Sequence, residues 1–367
     1  MWQDGIRPIH MEVKNSQTRE GTLLKHSIRT AAFEMVCRTE TDGQTKGLFG
    51  SECRPALDAY QRSLIGTGWP GFWLEAPLGG TAGMDLHVAI GREQLHPGDR
   101  FAPGAGFGRQ GLFDWYVRQE PGGRGLAMSH DLMGGDGKVP GLAVNINGSP
   151  LADPGAFYAA AGAPQMAEPV LGLIRKLPEG FCPWYLALMP NRPGTPGRVD
   201  CFLSRQWREC CADDPRKFYG VLERLGLSEP DPDMLASLKE IAEIPLEWEL
   251  QMDVLEDGSL RPALTLSLIT PVRGRTSARE YFSGNGPAAF ALERMERLGA
   301  ADSRWRLIPN AAMAKLVQVP SEDGEPVQTV LSVLPKFLKF RWDQGKLQTA
   351  KVYFSGITQP MLPGGIA

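Results

Sequence analysis

The sequence predicts an α+β fold: an antiparallel ten-stranded β-barrel surrounded by helices, built from repeated strand-hairpin-plus-helix units. Three observations predict it. Segments of alternating polar and apolar residues come in pairs divided by turn residues, the pattern of hairpins. Helical stretches separate those pairs, whereas a doubly wound parallel sheet alternates single strands with single helices. About ten candidate strands can be counted, enough for closure to remove exposed sheet edges.

Taken in order, residues 17–38 and 54–66 read as helices. Leu86, Val88 and Ile90 then alternate with Asp85, His87 and Ala89, which is strand periodicity. A Gly- and Pro-rich loop over 97–111 leads to a second strand at 112–118, and two more follow at 125–132 and 141–147. Pro154, just after Asp153, marks a helix start, and helices occupy 153–176. The next hairpin joins 183–189 to 198–203, with helices after it at 205–224 and 232–242. Strands at 246–255 and 260–269 flank Glu256-Asp257-Gly258-Ser259, whose Asp-Gly step is a hairpin signal. Helices at 276–299 and 309–317 precede the last hairpin, 337–342 and 347–355, which turns at Asp343-Gln344-Gly345. The chain is read as one domain over 1–367, with a helical segment at 1–70 and the barrel at 71–356.

Composition bounds the function. The 367 residues carry 39 Lys+Arg against 42 Asp+Glu, a formal charge of -3, with the cations scattered. Neither a nucleic-acid partner nor an anionic membrane surface is expected. No run approaches the roughly 18 apolar residues of a membrane span. Met1-Trp2-Gln3-Asp4-Gly5 lacks the basic and apolar regions of a signal peptide. Six cysteines are too few for a disulfide scaffold, so reduced thiols in the cytoplasm are the expectation.

The two faces of the hairpins differ in chemistry. Leu338, Phe340 and Trp342 oppose Lys339 and Arg341; Val352 and Phe354 oppose Lys351, Tyr353 and Ser355. Leu250, Met252 and Val254 oppose Glu249, Gln251 and Asp253, and Leu264, Leu266 and Leu268 oppose Thr265 and Ser267. Val199, Cys201 and Leu203 oppose Arg198, Asp200 and Phe202. The apolar face meets the helices. A flat open sheet would show the same alternation. The number of strands, and a polar face richer than the Lys/Glu mixture of solvated surfaces, favour a closed barrel whose lumen is a ligand chamber.

Other signals carry less. Asp213-Asp214-Pro215-Arg216-Lys217 begins like the aspartate-rich motif of all-helical isoprenyl synthases but lacks its third acid. Gly104-Ala105-Gly106-Phe107-Gly108 does not join a strand to a helix start and reads as a loop. Cys182, Cys201, Cys210 and Cys211 lack zinc-site spacing. His130-Asp131 has no serine in a nucleophile-elbow context beside it.

On these faces the sequence resembles the ABBA prenyltransferases. Lys351-Val352-Tyr353 looks like the Lys-x-Tyr pairs that hold diphosphate in that family, Lys339-Phe340-Arg341 like a neighbouring basic pair, and Arg198 like an earlier one. The resemblance covers roughly 70–356, and the replacement of earlier Lys-x-Tyr pairs by Arg198-Val199-Asp200 and Glu249-Leu250-Gln251 points to the cyanobactin-type, ribosomal-peptide subgroup. It implies a prenyltransferase that moves a dimethylallyl or geranyl group from its diphosphate to a side chain of a cyclic ribosomal peptide. The alternatives are a small aromatic or indole acceptor, a non-catalytic barrel binding an anionic ligand, and an unrelated α+β hydrolase or transferase. Arg198, Lys339, Arg341, Lys351 and Tyr353 would hold the diphosphate. Glu75 and Asp85 would supply the general base, with Glu249 and Asp253 behind them. Trp115, Tyr185, Trp248 and Gln251 would shield the allyl cation or hold the acceptor, with Trp73 and Phe113 also in reach. Magnesium would bind the diphosphate with Asp200 or Asp253.

Overall fold

The computed structural model describes residues 35–36, 42–51, 53–55, 57, 71–90, 110–118, 125–131, 141–146, 154–190, 192–320, 326–362 and 365–366. The helices expected at 17–38 and 54–66 and the loop at 97–111 lie almost wholly outside them. No described helix is long and apolar enough to cross a membrane.

The ring is closed by ten antiparallel strands. They are β1 (Phe72–Pro77), β2 (Asp85–Ile90), β3 (Leu126–Asp131), β4 (Gly141–Asn145), β5 (Phe181–Leu188), β6 (Gly197–Leu203), β7 (Glu247–Val254) and β8 (Ala263–Ile269), together with β10 (Pro326–Asp343) and β12 (Lys351–Leu362). The order is β1-β2-β3-β4-β5-β6-β7-β8-β10-β12, and β12 returns to β1. β9 (Met313–Pro320) lies outside the ring and pairs with the first half of β10; the short β11 (Lys346–Leu347) and β13 (Gly365–Ile366) flank the ends of β10 and β12.

Two expected elements are corrected. Residues 112–118 are helix α1 (Gln110–Arg118), not a strand. Leu112, Trp115 and Tyr116 are buried there, which is helical spacing, and a short apolar run does not separate the two readings by itself. The tenth place in the ring belongs to β1. Residues 309–317 are not a helix: α9 is a short piece, Ile308–Ala311, that stops where Ala312 turns to extended backbone, and β9 follows. Pairing with β10 overrides the helical preference of the alanines and Lys315 there.

The remaining helices cover the barrel: α2 (Pro154–Ala160), α3 (Ala167–Lys176), α4 (Arg205–Asp213), α5 (Pro215–Leu225), α6 (Pro232–Ala242), α7 (Arg275–Phe282) and α8 (Pro287–Arg297). The Asp213-Asp214 pair is explained by α5. Asp214 caps it, accepting from the Arg216 N–H at 3.0 Å, with Pro215 in the first turn. Phe218, Val221, Leu222 and Leu225 give α5 one buried stripe. Trp342 on β10 donates to Ser237 of α6 at 2.9 Å, tying helix layer to barrel.

Closure between β1 and β12 brings Phe72 opposite Gly356. A Cβ on Gly356 would lie 2.1 Å from the Phe72 ring, which is itself fully buried. Gly356→Ala is therefore expected to cost about 1–3 kcal/mol through overpacking. Urea unfolding tests it; an unchanged midpoint would mean that the seam is looser than described.

Candidate active site

Each ring strand turns one row of side chains to the helices and the other to the lumen. Leu74, Leu86, Leu250, Leu266 and Phe354 are fully buried on the outer rows. The inner rows carry the chemistry, as the alternation predicted.

Glu75 on β1 is the centre of the first cluster and only 4% exposed. Lys351 on β12 donates to it and reaches Asp85 on β2 at 3.4 Å. Lys339 on β10 approaches it at 3.7 Å and donates to the Tyr353 hydroxyl, its ammonium 4.7 Å from the centre of that ring. His87 Nε2 lies 3.2 Å from the carboxylate and must donate there, because an ionised carboxylate only accepts. Ser129 on β3 sits 2.7 Å from the other ring nitrogen. Burial alone would raise the Glu75 carboxyl. Lys351 first, then Lys339 and His87, outweigh it and hold it well below the usual carboxylate range. Burial also depresses Lys339, with Glu75 opposing and the Arg198 and Lys351 charges adding to the fall. Lys351 is raised, because Glu75 and Asp85 together outweigh its own burial.

A second cluster joins β6 and β7. Arg198 grips Asp253 with two bonds, 2.7 and 3.3 Å, and Arg192 adds a third at 3.1 Å. Burial opposes, but these guanidinium groups hold Asp253 well below its usual range. Arg341 points to Asp343 at 3.2 Å. Each of the basic residues assigned to diphosphate is thus already paired with an anion, and an incoming diphosphate must compete for them.

Asp200 and Asp253, the pair expected to hold magnesium, are engaged with other groups. Both oxygens of Asp253 are taken by arginines, so a cation there would face like charge. Asp200 is pushed up to about 8, by burial and then by the Glu249 charge, with Arg198 and Lys339 opposing. Among the described residues no group of three or more His, Cys, Asp or Glu side chains could hold a metal ion.

The third cluster is acidic and aromatic. β5 carries a bulge: Pro183 pairs with Cys201 and Tyr185 with Asp200, leaving Trp184 as the extra residue. The bulge puts Trp184 and Tyr185 on the lumen together, their rings 4.2 Å apart, with Phe202 4.5 Å from Trp184. Trp184 donates to Glu249 at 3.0 Å, and Gln251 donates to Asp200 at 3.1 Å. Burial raises Glu249, against the Trp184 bond and the charge of Lys339.

Asp200 gives a signed prediction. Its folded pKa lies above its unfolded one, so its contribution to stability is complete below about pH 4. That contribution falls as pH rises toward about 8, by up to roughly 1.4 kcal/mol per pH unit. Asp200→Asn is expected to match the native chain at pH 4 and to be the more stable at pH 8.5. Urea midpoints at the two values test this, and parallel pH profiles would sink it.

Two of the expected cation shields stand elsewhere. Trp248 is 1% exposed on the outer row of β7, edge-on to Phe218 of α5 at 5.7 Å. Trp115 belongs to α1 and packs on Phe157 of α2 at 5.9 Å. Both are core aromatics beneath or within the helix layer. His130 is also on an outer row; burial, and then the His87 charge, lowers it to about 3. Glu75, Asp85, Tyr185, Gln251 and the five diphosphate candidates are placed on the lumen. His87 enters the Glu75 cluster as its alternation with Leu86 allowed. Trp184 was not assigned, although Pro183 inside a strand is a bulge signal.

No protein-family model matches the chain, and no curated protein matches it. Among solved structures it is similar to the prenyltransferase PriB, in a ternary complex with L-tryptophan and dimethylallyl thiolodiphosphate, at 18% identity and TM-score 0.46, covering 90% of this chain and 96% of that one. It is similar to AnaPT from Neosartorya fischeri at 12% identity and TM-score 0.48, covering 92% and 94%. It is similar to the NotF prenyltransferase at 10% identity and TM-score 0.43, covering 94% and 96%. At such identities no residue's role passes from one chain to another. The fold and lumen define the class on their own terms: a closed ten-stranded antiparallel barrel, jacketed by helices, with a buried, ion-paired chamber.

Proposed function

We propose that this chain is a prenyltransferase that moves a dimethylallyl or geranyl group from its diphosphate to an aromatic acceptor inside the barrel. The observation that carries the reading is the lumen cluster in which Lys351, Lys339 and His87 converge on the buried carboxylate of Glu75, with the Tyr353 ring against the Lys339 ammonium.

The chemistry follows from that arrangement. The allylic carbon–oxygen bond breaks, and its electron pair leaves with the diphosphate. Lys351, Lys339 and the Tyr353 hydroxyl are fixed donors for the charge that grows there. The Tyr353 ring, which the Lys339 ammonium faces in the free protein, would stabilise an allyl cation once Lys339 turns to the diphosphate. The acceptor's nucleophilic atom bonds the allylic carbon, and its proton passes to Glu75. Free Glu75 is a weak base, because two ammonium groups hold it ionised. Diphosphate drawing Lys351 and Lys339 to itself raises the basicity of Glu75, so donor binding prepares the base. The Trp184, Tyr185 and Phe202 wall suits a compact aromatic acceptor, and this favours such an acceptor over the ribosomal peptide that the resemblance implies.

The test is thermal unfolding with dimethylallyl thiolodiphosphate, which does not react readily, and with its geranyl counterpart. Ligand at about 100 times its Kd adds roughly 2.7 kcal/mol. For a chain of this length that is about 3–4 °C. A shift that Lys351→Ala removes supports the reading, and no shift with either analogue ends it.

A further inference from the structure

We propose that the acceptor gives up its proton at the Ser129 hydroxyl, and that His87 carries the charge of that proton on to Glu75. The inference rests on the prenyl-transfer reading and deepens it: Ser129 becomes the group that touches the acceptor, and Glu75 the terminal base behind it.

Glu75 is not open to an acceptor directly. Its Oε1 receives Lys351, and its Oε2 receives His87 Nε2 at 3.2 Å with Lys339 at 3.7 Å. The side chain is 5% exposed, against 22% for His87. Diphosphate that draws the two lysines to itself occupies their flank of the carboxylate, so an acceptor meets the flank where His87 stands. The ammonium groups have donors only and can take no proton. Among the described partners of Glu75, His87 alone has a second polar atom through which a proton can arrive.

Strand pairing sets up the path. His87 on β2 stands opposite Trp73 of β1 on one side and Ser129 of β3 on the other. Glu75, two residues beyond Trp73, is the diagonal neighbour of His87. Ser129 is half-buried on its inner row, its Oγ 2.7 Å from His87 Nδ1. Because Nε2 donates to the carboxylate, Nδ1 has a lone pair and the hydroxyl donates to it. The hydrogens therefore already point from Ser129 through His87 to Glu75, the direction the transfer needs. The Tyr353 ring lies 5.4 Å from the His87 ring, so the imidazole stands between the proposed place of the allyl cation and Ser129.

The step balances. The acceptor atom bonds the allylic carbon, and its bond to hydrogen breaks, leaving the electron pair with the acceptor. Its proton goes to Ser129 Oγ, the hydroxyl proton to Nδ1, and the Nε2 proton to Glu75 Oε2. Only Glu75 gains a proton. Afterwards the carboxyl donates to Nε2 and Nδ1 donates to Ser129, so each contact survives with its direction reversed. A hydroxyl and an imidazole permit this, because each can donate and accept.

The experiment is turnover of the full chain with dimethylallyl diphosphate and indole, against perdeuterated indole in heavy water. Ser129→Ala is expected to lower kcat about 10²-fold or more, the low end for a positioned proton-transfer group. Its isotope effect should exceed that of the native chain, because proton loss becomes limiting. The midpoint shift with dimethylallyl thiolodiphosphate should stay as in the native chain. Ser129→Thr keeps the hydroxyl and should recover most of the rate, so the test does not depend on one variant. Native turnover in Ser129→Ala overturns the inference. So does a loss that Ser129→Thr shares, or one without a larger isotope effect, since either is the mark of a structural role. No turnover by the native chain also overturns it. The donor shift separates the failures: with the shift present, prenyl transfer stands without Ser129, and with the shift absent, both readings fall.

Discussion

Glu75→Gln is expected to lower turnover about 10²–10⁴-fold, the usual worth of a positioned proton acceptor, while dimethylallyl thiolodiphosphate still binds. Glutamine keeps the shape of the side chain but takes no proton. It also removes the anion that Lys351 and Lys339 share in the free protein, so both ammonium groups become available to the diphosphate. Donor affinity should therefore hold or rise as turnover falls, a split that a merely structural role does not produce. The free variant should be less stable than the native chain, since Lys339 is buried with no neutralising carboxylate beside it, and the donor analogue should recover part of that loss. Full turnover in Glu75→Gln would remove Glu75 as the base and pass the role to Asp85. Loss of analogue binding would make Glu75 a positioning residue for the lysines.

How much of this was legible in the sequence depended on the length of the pattern. The β6 to β8 and β10 to β12 rows alternate over long stretches, and they face as the letters say: Glu249, Gln251 and Asp253 inward, Leu250, Met252 and Val254 outward. Where the run was short, periodicity did not decide. The apolar run from Leu112 to Val117 was too short to separate helix from strand before burial showed its helical spacing, and Phe72 to Pro77 was not assigned to a strand. The expected number of strands was right although one member was wrong.

For the site, alternation could assign a face but not a partner. It put Lys339 and Lys351 on the lumen, and the resemblance named Glu75, yet their convergence needs β1 to meet β12 across the seam of the barrel, a contact between residues 276 apart in the chain. Trp248 shows the same limit from the other side. Its place was fixed by the Leu250–Met252–Val254 row it belongs to, and an aromatic in a strand says nothing of which side is wet. The bulge at Trp184 breaks alternation, and it brings together the two aromatics that a strict two-residue period would have set on opposite faces.

The second large effect concerns the same ion cluster as an element of stability. Lys351→Met removes the cation that most strongly offsets the burial of Glu75, leaving Lys339 and His87 to hold the carboxylate. Breaking a buried pair from one side typically costs about 3–5 kcal/mol, because a buried charge is left under-compensated. The remaining partners put this case at the lower end, about 3 kcal/mol. Asp85 loses a contact too, but it is partly solvated and adds little. The double variant Glu75→Gln/Lys351→Met removes both charges of the pair but leaves Lys339 without its carboxylate, so it should regain part of the loss, and urea unfolding of the four proteins in a cycle should show a favourable coupling of more than about 1 kcal/mol. Donor-analogue binding must behave differently. If Lys351 contacts diphosphate, the double variant recovers stability without recovering affinity. Should affinity return along with stability, Lys351 would be holding Glu75 and nothing else, and the diphosphate would have to lie against Arg198 and Arg341.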